Sequence, residues 1–169
     1  MIKLKLLLEQ IVKEVGELEN IIPYEYKKFS NNEYSFKTED GLTVDVGFSL
    51  YDKDDLKQLE LEGDVYNMVF SLENDQSQHK KENYGYLMRV IKTVFDINME
   101  FIKQHPQVKN ITLFAGNKDK DKFLTQTDKQ KSNLYLVTFL KNRSKIPGNW
   151  WYKEVKIDEG FKGILIYKK

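Results

Sequence analysis

Residues 82–116 read ENYGYLMRVIKTVFDINMEFIKQHPQVKNITLFAG, and the rest of the chain is arranged around this stretch. Between residues 87 and 102, apolar side chains recur at the three- and four-residue spacing of an amphipathic helix, with charged side chains on the other side. Pro106 cannot continue a helix and biases His105 away from the helical conformation. The stretch therefore predicts a central helix over 82–105, then a turn, then a short strand over 110–115.

Alternation of apolar and polar residues predicts the other strands of a sheet. The stretch 64–72 has apolar residues on both sides, which is typical of a central strand. The acidic stretch 52–55 is expected to be a polar loop. The predicted strands cover residues 24–26, 34–36, 42–50, 64–72, 150–155 and 161–167.

Two further helices are predicted from apolar spacing, over residues 1–20 and over residues 122–142. The N-terminal amphipathic helix 1–20 either packs on its own sheet, which we favour, or docks on a neighbouring subunit. The expected fold class is α+β, with a mixed, mostly antiparallel central sheet and helices on both faces. A chain of 169 residues is expected to form a single domain, 1–169.

Composition argues against several classes of function. Charged residues make up 31% of the chain, but 27 Lys and Arg nearly cancel 26 Asp and Glu, so nucleic acid and anionic membranes are not expected partners. The lysines at 118, 120 and 122 are interleaved with Asp119 and Asp121, which cancel most of their field.

The residue types needed for common metal and redox sites are scarce. Cysteine is absent, and the two histidines, His79 and His105, lie far apart in sequence. We therefore expect no disulfide, no thiolate nucleophile and no metal site. No apolar run is long enough to span a bilayer, and the opening residues are not expected to be a secretory signal.

The order of predicted elements resembles that of the GNAT acyltransferase superfamily. In that family a loop of the form Q/R-x-x-G-x-G/A enters the central helix, and its backbone N–H groups bind the pyrophosphate of coenzyme A. Here Lys80 stands at the basic position, Asn83 replaces the first glycine and Gly85 matches the last. The resemblance implies acetyl-coenzyme A held by Lys80, Asn83 and Gly85. The negative charge of Glu82 and the bulk of Tyr84 disfavour a bound pyrophosphate. We therefore favour Asn83 as a helix cap, with no cofactor bound.

A second resemblance to the family lies at Ser132-Asn133-Leu134-Tyr135. In the family the tyrosine of this segment protonates the departing thiolate, which implies Tyr135 as a general acid. The alternative is a core tyrosine with its hydroxyl at the rim, which is the commoner role of such a residue. A general base has no clear candidate.

The chain is also similar to small GNAT-like proteins of tailed bacteriophages, several of which are associated with the virion. The likeness is carried by the amphipathic start at residues 1–5, the Asp-Gly turn in 36–41, the helix segment 89–97 and Leu134-Tyr135. It implies a protein that is made in the host cytoplasm and found in the virion, where it contacts other virion proteins in a multi-copy assembly.

Two functions follow from these patterns. We expect a virion structural or assembly protein of the head, neck or tail that uses a degenerate acetyltransferase-like fold and is not an enzyme. Its expected interface is Trp150, Trp151 and Tyr152, because large aromatic residues are enriched at interface hot spots. Alternatively, one tryptophan faces the core and its neighbour only covers an edge. The second function is an active acetyl-coenzyme A-dependent N-acyltransferase that modifies a protein or a small amine.

Overall fold

A computed structural model describes residues 15–72, 84–115, 137–158 and 161–169, and these residues form an α+β fold. Its helices are α1 (Lys53–Gln58), α2 (Tyr84–Gln104) and α3 (residues 137–142), with short 3-10 helices at Val15–Asn20 and Arg143–Lys145. The strands are β1 (Tyr26–Lys28), β2 (Glu33–Lys37), β3 (Thr43–Leu50), β4 (Tyr66–Leu72), β5 (Asn110–Ala115), β6 (Trp150–Asp158) and β7 (Phe161–Lys168).

The strands form one open sheet in the order β1-β2-β3-β4-β5-β7-β6. All neighbours pair antiparallel except β4 and β5, which are parallel. A parallel pair needs a long connection, and α2 lies in that connection. The mostly antiparallel sheet and the central position of β4 confirm the α+β prediction at this level.

One face of the sheet is covered by α2, and we call it the helix face. The apolar side predicted for the central helix is the buried side, and α2 ends one residue before His105. Residues facing α2 alternate along each strand, as the register of the sheet requires. The core of the helix face includes Tyr34, Phe36, Val44, Val46, Phe48, Met68, Phe70, Ile111, Leu113, Ile164 and Ile166 from the sheet, and Val90, Ile91, Val94, Phe95, Ile97, Phe101 and Ile102 from α2.

A smaller cluster lies on the other side of the sheet, which we call the opposite face. Leu56 and Leu59, at the end of α1, pack there against a buried group formed by Leu61, Val65, Val155 and Leu165. The loop predicted over residues 52–55 is wrong. Asp52 accepts hydrogen bonds from the backbone N–H groups of Asp54 (2.9 Å) and Asp55 (2.8 Å) and so caps α1. Acidic residues are typical of polar loops, but they also favour the first turn of a helix.

The two other predicted helices, over residues 1–20 and 122–142, lie only partly within the described residues. Residues 1–14 of the predicted N-terminal helix lie outside the described residues, and its last part, Val15–Asn20, is a 3-10 helix with Leu18 buried in the core. The segment α3 falls within the helix predicted over 122–142, and residues 122–136 again lie outside the description. Within α3, Phe139 is buried with its ring 5.5 Å from that of Phe95 in α2.

Candidate functional site

The residues that the resemblance assigns to coenzyme A are only partly described. Gly85 is exposed in the first turn of α2, whereas Lys80, Asn83 and Tyr135 lie outside the described residues. Because β5 runs parallel to β4, α2 must run back along the sheet, so its first turn lies near the edge where both strands end. That edge is the one at which Phe70 pairs with Ala115.

The three aromatic residues predicted as an interface lie at the start of β6, which is an edge strand. Trp150 is buried in the core, and its indole N–H donates to the carbonyl oxygen of Pro147 at 3.0 Å. Trp151 and Tyr152 are each 44% exposed. Trp150 therefore faces the core, as the alternative interpretation of the cluster supposed, and the exposed surface consists of the next two residues.

The exposed aromatic rings of β6 lie on different faces of the sheet. Trp151 pairs with Tyr167 on the opposite face, and the ammonium of Lys169 lies 3.9 Å from the centre of its ring. Tyr152 lies on the helix face, with the guanidinium of Arg143 4.9 Å from its ring centre. A cation over an exposed ring contributes about 0.5–1 kcal/mol, which helps to hold both rings in place at the edge.

The direction of the backbone groups of β6 follows from one hydrogen bond. The N–H of Lys168 donates to the carbonyl of Lys109 at 2.9 Å, so Lys168 points its backbone toward β5. Alternate residues of an antiparallel strand bond to alternate neighbours, so Tyr167, which pairs with Trp151, points toward β6. The backbone groups of Trp150 and Tyr152 therefore point away from β7. On that side the described residues provide no further strand.

We define the β6 edge as the surface formed by Trp151, Tyr152, Lys153 and Glu154, all of which are exposed. It combines two aromatic rings, one charge of each sign and outward-pointing backbone groups. Sequence reasoning identified the aromatic cluster. It did not determine which ring is buried, because that depends on the register with β7.

A second surface, a cleft of about 510 Å³, lies between α2, β1 and the two 3-10 helices. Three apolar side chains and several charged ones line it. Two ion pairs lie along it, Lys92 with Asp96 (2.5 Å) and Lys145 with Glu19 (2.6 Å). The lining residues are Leu18, Glu19, Tyr26, Lys92, Phe95, Asp96, Met99, Glu100, Lys103, Asn142 and Lys145.

The positive and negative side chains that line this cleft are equal in number. The hydroxyl of Tyr26 donates to the Glu100 carboxylate at 2.7 Å, and burial together with this carboxylate raises the pKa of Tyr26 far above its usual value. The phenol therefore stays protonated as a donor. Three lysines face three carboxylates in the lining, so the cleft does not favour a ligand of either charge sign. The sequence did not predict the cleft because its walls come from segments far apart in the chain.

Alkaline pH is expected to weaken the fold through buried phenols. The pKa of Tyr51 is raised to about 12, mainly because the phenol is buried. The charge of Asp55 adds to this rise, and the hydrogen bond between the hydroxyls of Tyr51 and Thr112 (2.8 Å) partly offsets it. Burial likewise raises the pKa of Tyr34 to about 12. Since the unfolded value is near 10, the stability that depends on the neutral phenol is fully present below pH 10 and is lost as pH rises through about 12.

Chemical denaturation of the native chain between about pH 9 and about pH 12 tests this expectation. Tyr51→Phe cannot ionise at this position, so its free energy of unfolding is expected to fall less steeply with pH than that of the native chain. Tyr34→Phe is expected to act in the same direction. A slope unchanged in both variants would contradict the prediction.

Two other classes of feature are absent from the described residues. The described residues contain no group of three or more His, Asp or Glu side chains placed to hold a metal ion. Nor does any helix of the described ranges combine the length and apolar character needed to cross a membrane. Comparison of the chain with protein families, with curated proteins and with solved structures gave no match. The β6 edge and the cleft beside α2 are therefore the two surfaces from which a function can be inferred.

Proposed function

We propose that the chain is a structural or assembly protein of a tailed-bacteriophage virion, built on a degenerate GNAT-like fold and acting through contacts with other proteins of the particle. The contact function is supported mainly by the β6 edge, where Trp151 and Tyr152 are each 44% exposed on a strand whose outer side has no neighbouring strand among the described residues. The viral setting and the likeness to acetyltransferases rest on the sequence resemblances given above.

The exposure of both rings has an energetic consequence. Aromatic side chains bury about 150–250 Å² each when fully covered, so a partner that covers the exposed part of both removes roughly 175 Å² from water. At about 25 cal/mol per Å² this contributes roughly 4 kcal/mol before the entropic costs of association. Ile22, Phe29 and Leu50 are also exposed among the described residues, but Trp151 and Tyr152 are the two that are adjacent in sequence.

The cleft beside α2 supports a catalytic role less well. Its carboxylates at Glu19, Asp96 and Glu100 each have a lysine or tyrosine partner within 2.7 Å. A general base needs a lone pair that is available to substrate, and in the cleft each of these carboxylates already binds a partner within the fold through one oxygen. A contact function therefore fits the described surfaces better than acid–base catalysis does.

Quantitative mass spectrometry of purified particles tests the proposal. We expect the chain at a fixed, stoichiometric copy number, and its absence from particles would overturn the proposal. Particles carrying the double variant Trp151→Ser, Tyr152→Ser are expected to incorporate less of the protein. Phe29→Ser is the matched control, because Phe29 is 70% exposed but lies outside the β6 edge. Equal loss in both would argue against a role for this edge.

Calorimetry with acetyl-coenzyme A tests the enzyme alternative on the purified chain. We expect no micromolar binding. If micromolar binding were observed and then lost in Gly85→Trp, the structural role would be overturned. Acyl transfer with Lys80, Asn83, Gly85 and Tyr135 at its site would take its place.

A further inference from the structure

We propose that β6 pairs with β6 of a second copy of this chain, antiparallel and centred on Tyr152, to join two sheets into one. This inference rests on the proposed function and names the partner and the geometry of one contact in the assembly. Three independent features carry it: the direction of the backbone groups, the charges along the strand, and the difference between the two edges of the sheet.

The backbone of β6 is suited to receive another strand. The N–H and C=O groups of Trp150 and Tyr152 point outward from the sheet, as the bond between Lys168 and Lys109 establishes. Adding an extended strand at such an edge forms main-chain hydrogen bonds in alternating pairs. A second copy of β6 presents the same pattern, because a two-fold axis perpendicular to the sheet places outward-pointing groups opposite one another.

The charges on β6 select the register. Centring the pair on Lys153 places two lysines directly opposite each other, and centring it on Glu154 does the same with two glutamates, which is destabilising. Centring on Tyr152 avoids both conflicts. It places the two tyrosines together on the helix face and puts each Trp151 across from the partner's Lys153 on the opposite face, so that neither strand places like charges directly opposite each other.

Other registers are limited by the ends of the usable strand. Centring on Trp151 pairs only residues 150–152, since β6 begins at Trp150. Centring beyond Glu154 runs the pairing through the irregularity between Lys156 and Asp158, where the register of β6 shifts. A bulge of this kind interrupts regular pairing. The register centred on Tyr152 uses residues 150–154 and avoids both limits.

The strand at the other edge of the sheet is much shorter than β6. The strand β1 has three residues and presents the exposed lysines Lys27 and Lys28. A short strand with lysines is a common means of preventing edge pairing. β6 has nine residues and two half-exposed aromatic rings. Because pairing of residues 150–154 buries less than a standard interface, we expect a weak dimer that multiple copies in a particle would strengthen.

Single-cysteine variants test the geometry directly, because the chain contains no cysteine. In Tyr152→Cys the two cysteines would face each other in a hydrogen-bonded pair, with Cα atoms about 5.5 Å apart, within the range that a disulfide bridges. Mild oxidation is expected to give a disulfide-linked dimer on a non-reducing gel. Lys28→Cys, exposed on β1, is the matched control and is expected to remain monomeric. Equal cross-linking of the two variants would overturn the inference.

Analytical ultracentrifugation over a range of concentrations tests the native residues. The native chain is expected to self-associate reversibly. Tyr152→Pro removes an N–H that points away from β7, so it spares the native sheet and is expected to stay monomeric with an unchanged circular dichroism spectrum. A native chain that stays monomeric at all concentrations would overturn the inference, as would a Tyr152→Pro chain that associates equally well.

These outcomes separate the two proposals. A chain that is stoichiometric in particles but gives no Tyr152→Cys cross-link overturns the self-pairing and leaves the proposed function standing. A chain that cross-links as expected but is absent from particles overturns the proposed function and supports self-pairing alone.

Discussion

Phe101→Ala is expected to lower the free energy of unfolding by about 3–5 kcal/mol. The side chain of Phe101 is fully buried in α2, and its ring stacks on that of Phe48 with centroids 3.8 Å apart and planes 5° from parallel. Tyr66 packs edge-on against it at 5.5 Å, and the ring of His105 lies 4.3 Å away. Truncation leaves a cavity between α2 and the centre of the sheet, where the three rings of Phe48, Tyr66 and His105 lose their common neighbour.

Urea denaturation followed by fluorescence measures this loss. Phe101→Leu keeps most of the buried volume and is expected to lose less than Phe101→Ala. Phe29→Ala is the matched exposed control, because Phe29 is 70% exposed, and it is expected to change the free energy by no more than about 0.5 kcal/mol. A loss in Phe101→Ala no larger than that control would show that the stack does not hold α2 to the sheet.

The centre of the fold could be predicted from local patterns. The spacing of apolar residues along α2 and the stop at His105-Pro106 depend only on neighbours in sequence, and the structure confirms both. Most strands could be predicted for the same reason, but the first was predicted over residues 24–26 and lies at Tyr26–Lys28. The stack of Phe101 on Phe48 could not, because it depends on the register of a strand some fifty residues away.

In the candidate site, too, local patterns could be predicted from the sequence, whereas features that depend on strand register could not. A cluster of aromatic residues at positions 150–152 is visible in the sequence, but Trp150 is buried and Trp151 is exposed because of their pairing with β7. The helix α1 was not predicted, because the hydrogen bonds that Asp52 accepts from backbone N–H groups depend on the local backbone conformation. Acidic residues in this pattern are equally typical of a loop. The cleft beside α2 was missed because Glu19 and Lys145 come from distant segments.

Thr93→Val is expected to cost about 1–3 kcal/mol although it changes shape very little. Thr93 is fully buried in α2, where its hydroxyl donates to the carbonyl of Arg89 (2.8 Å) and accepts from the backbone N–H of Tyr24 (2.9 Å). Valine fills the same space but removes the acceptor of that N–H. Tyr24 stacks on Phe36 with centroids 5.6 Å apart, so the hydrogen bond fixes the segment that leads into β1 against the central helix.

Two measurements distinguish a lost hydrogen bond from poor packing in this variant. Thr93→Ser keeps the hydroxyl and loses a methyl group, so it is expected to retain the slow hydrogen exchange of the Tyr24 amide, whereas Thr93→Val is expected to speed it. The free energy of unfolding should follow the same order if the hydroxyl matters more than the methyl group. Slower exchange in the valine variant than in the serine variant would mean that packing of the methyl group, and not the buried N–H, ties the start of the sheet to α2.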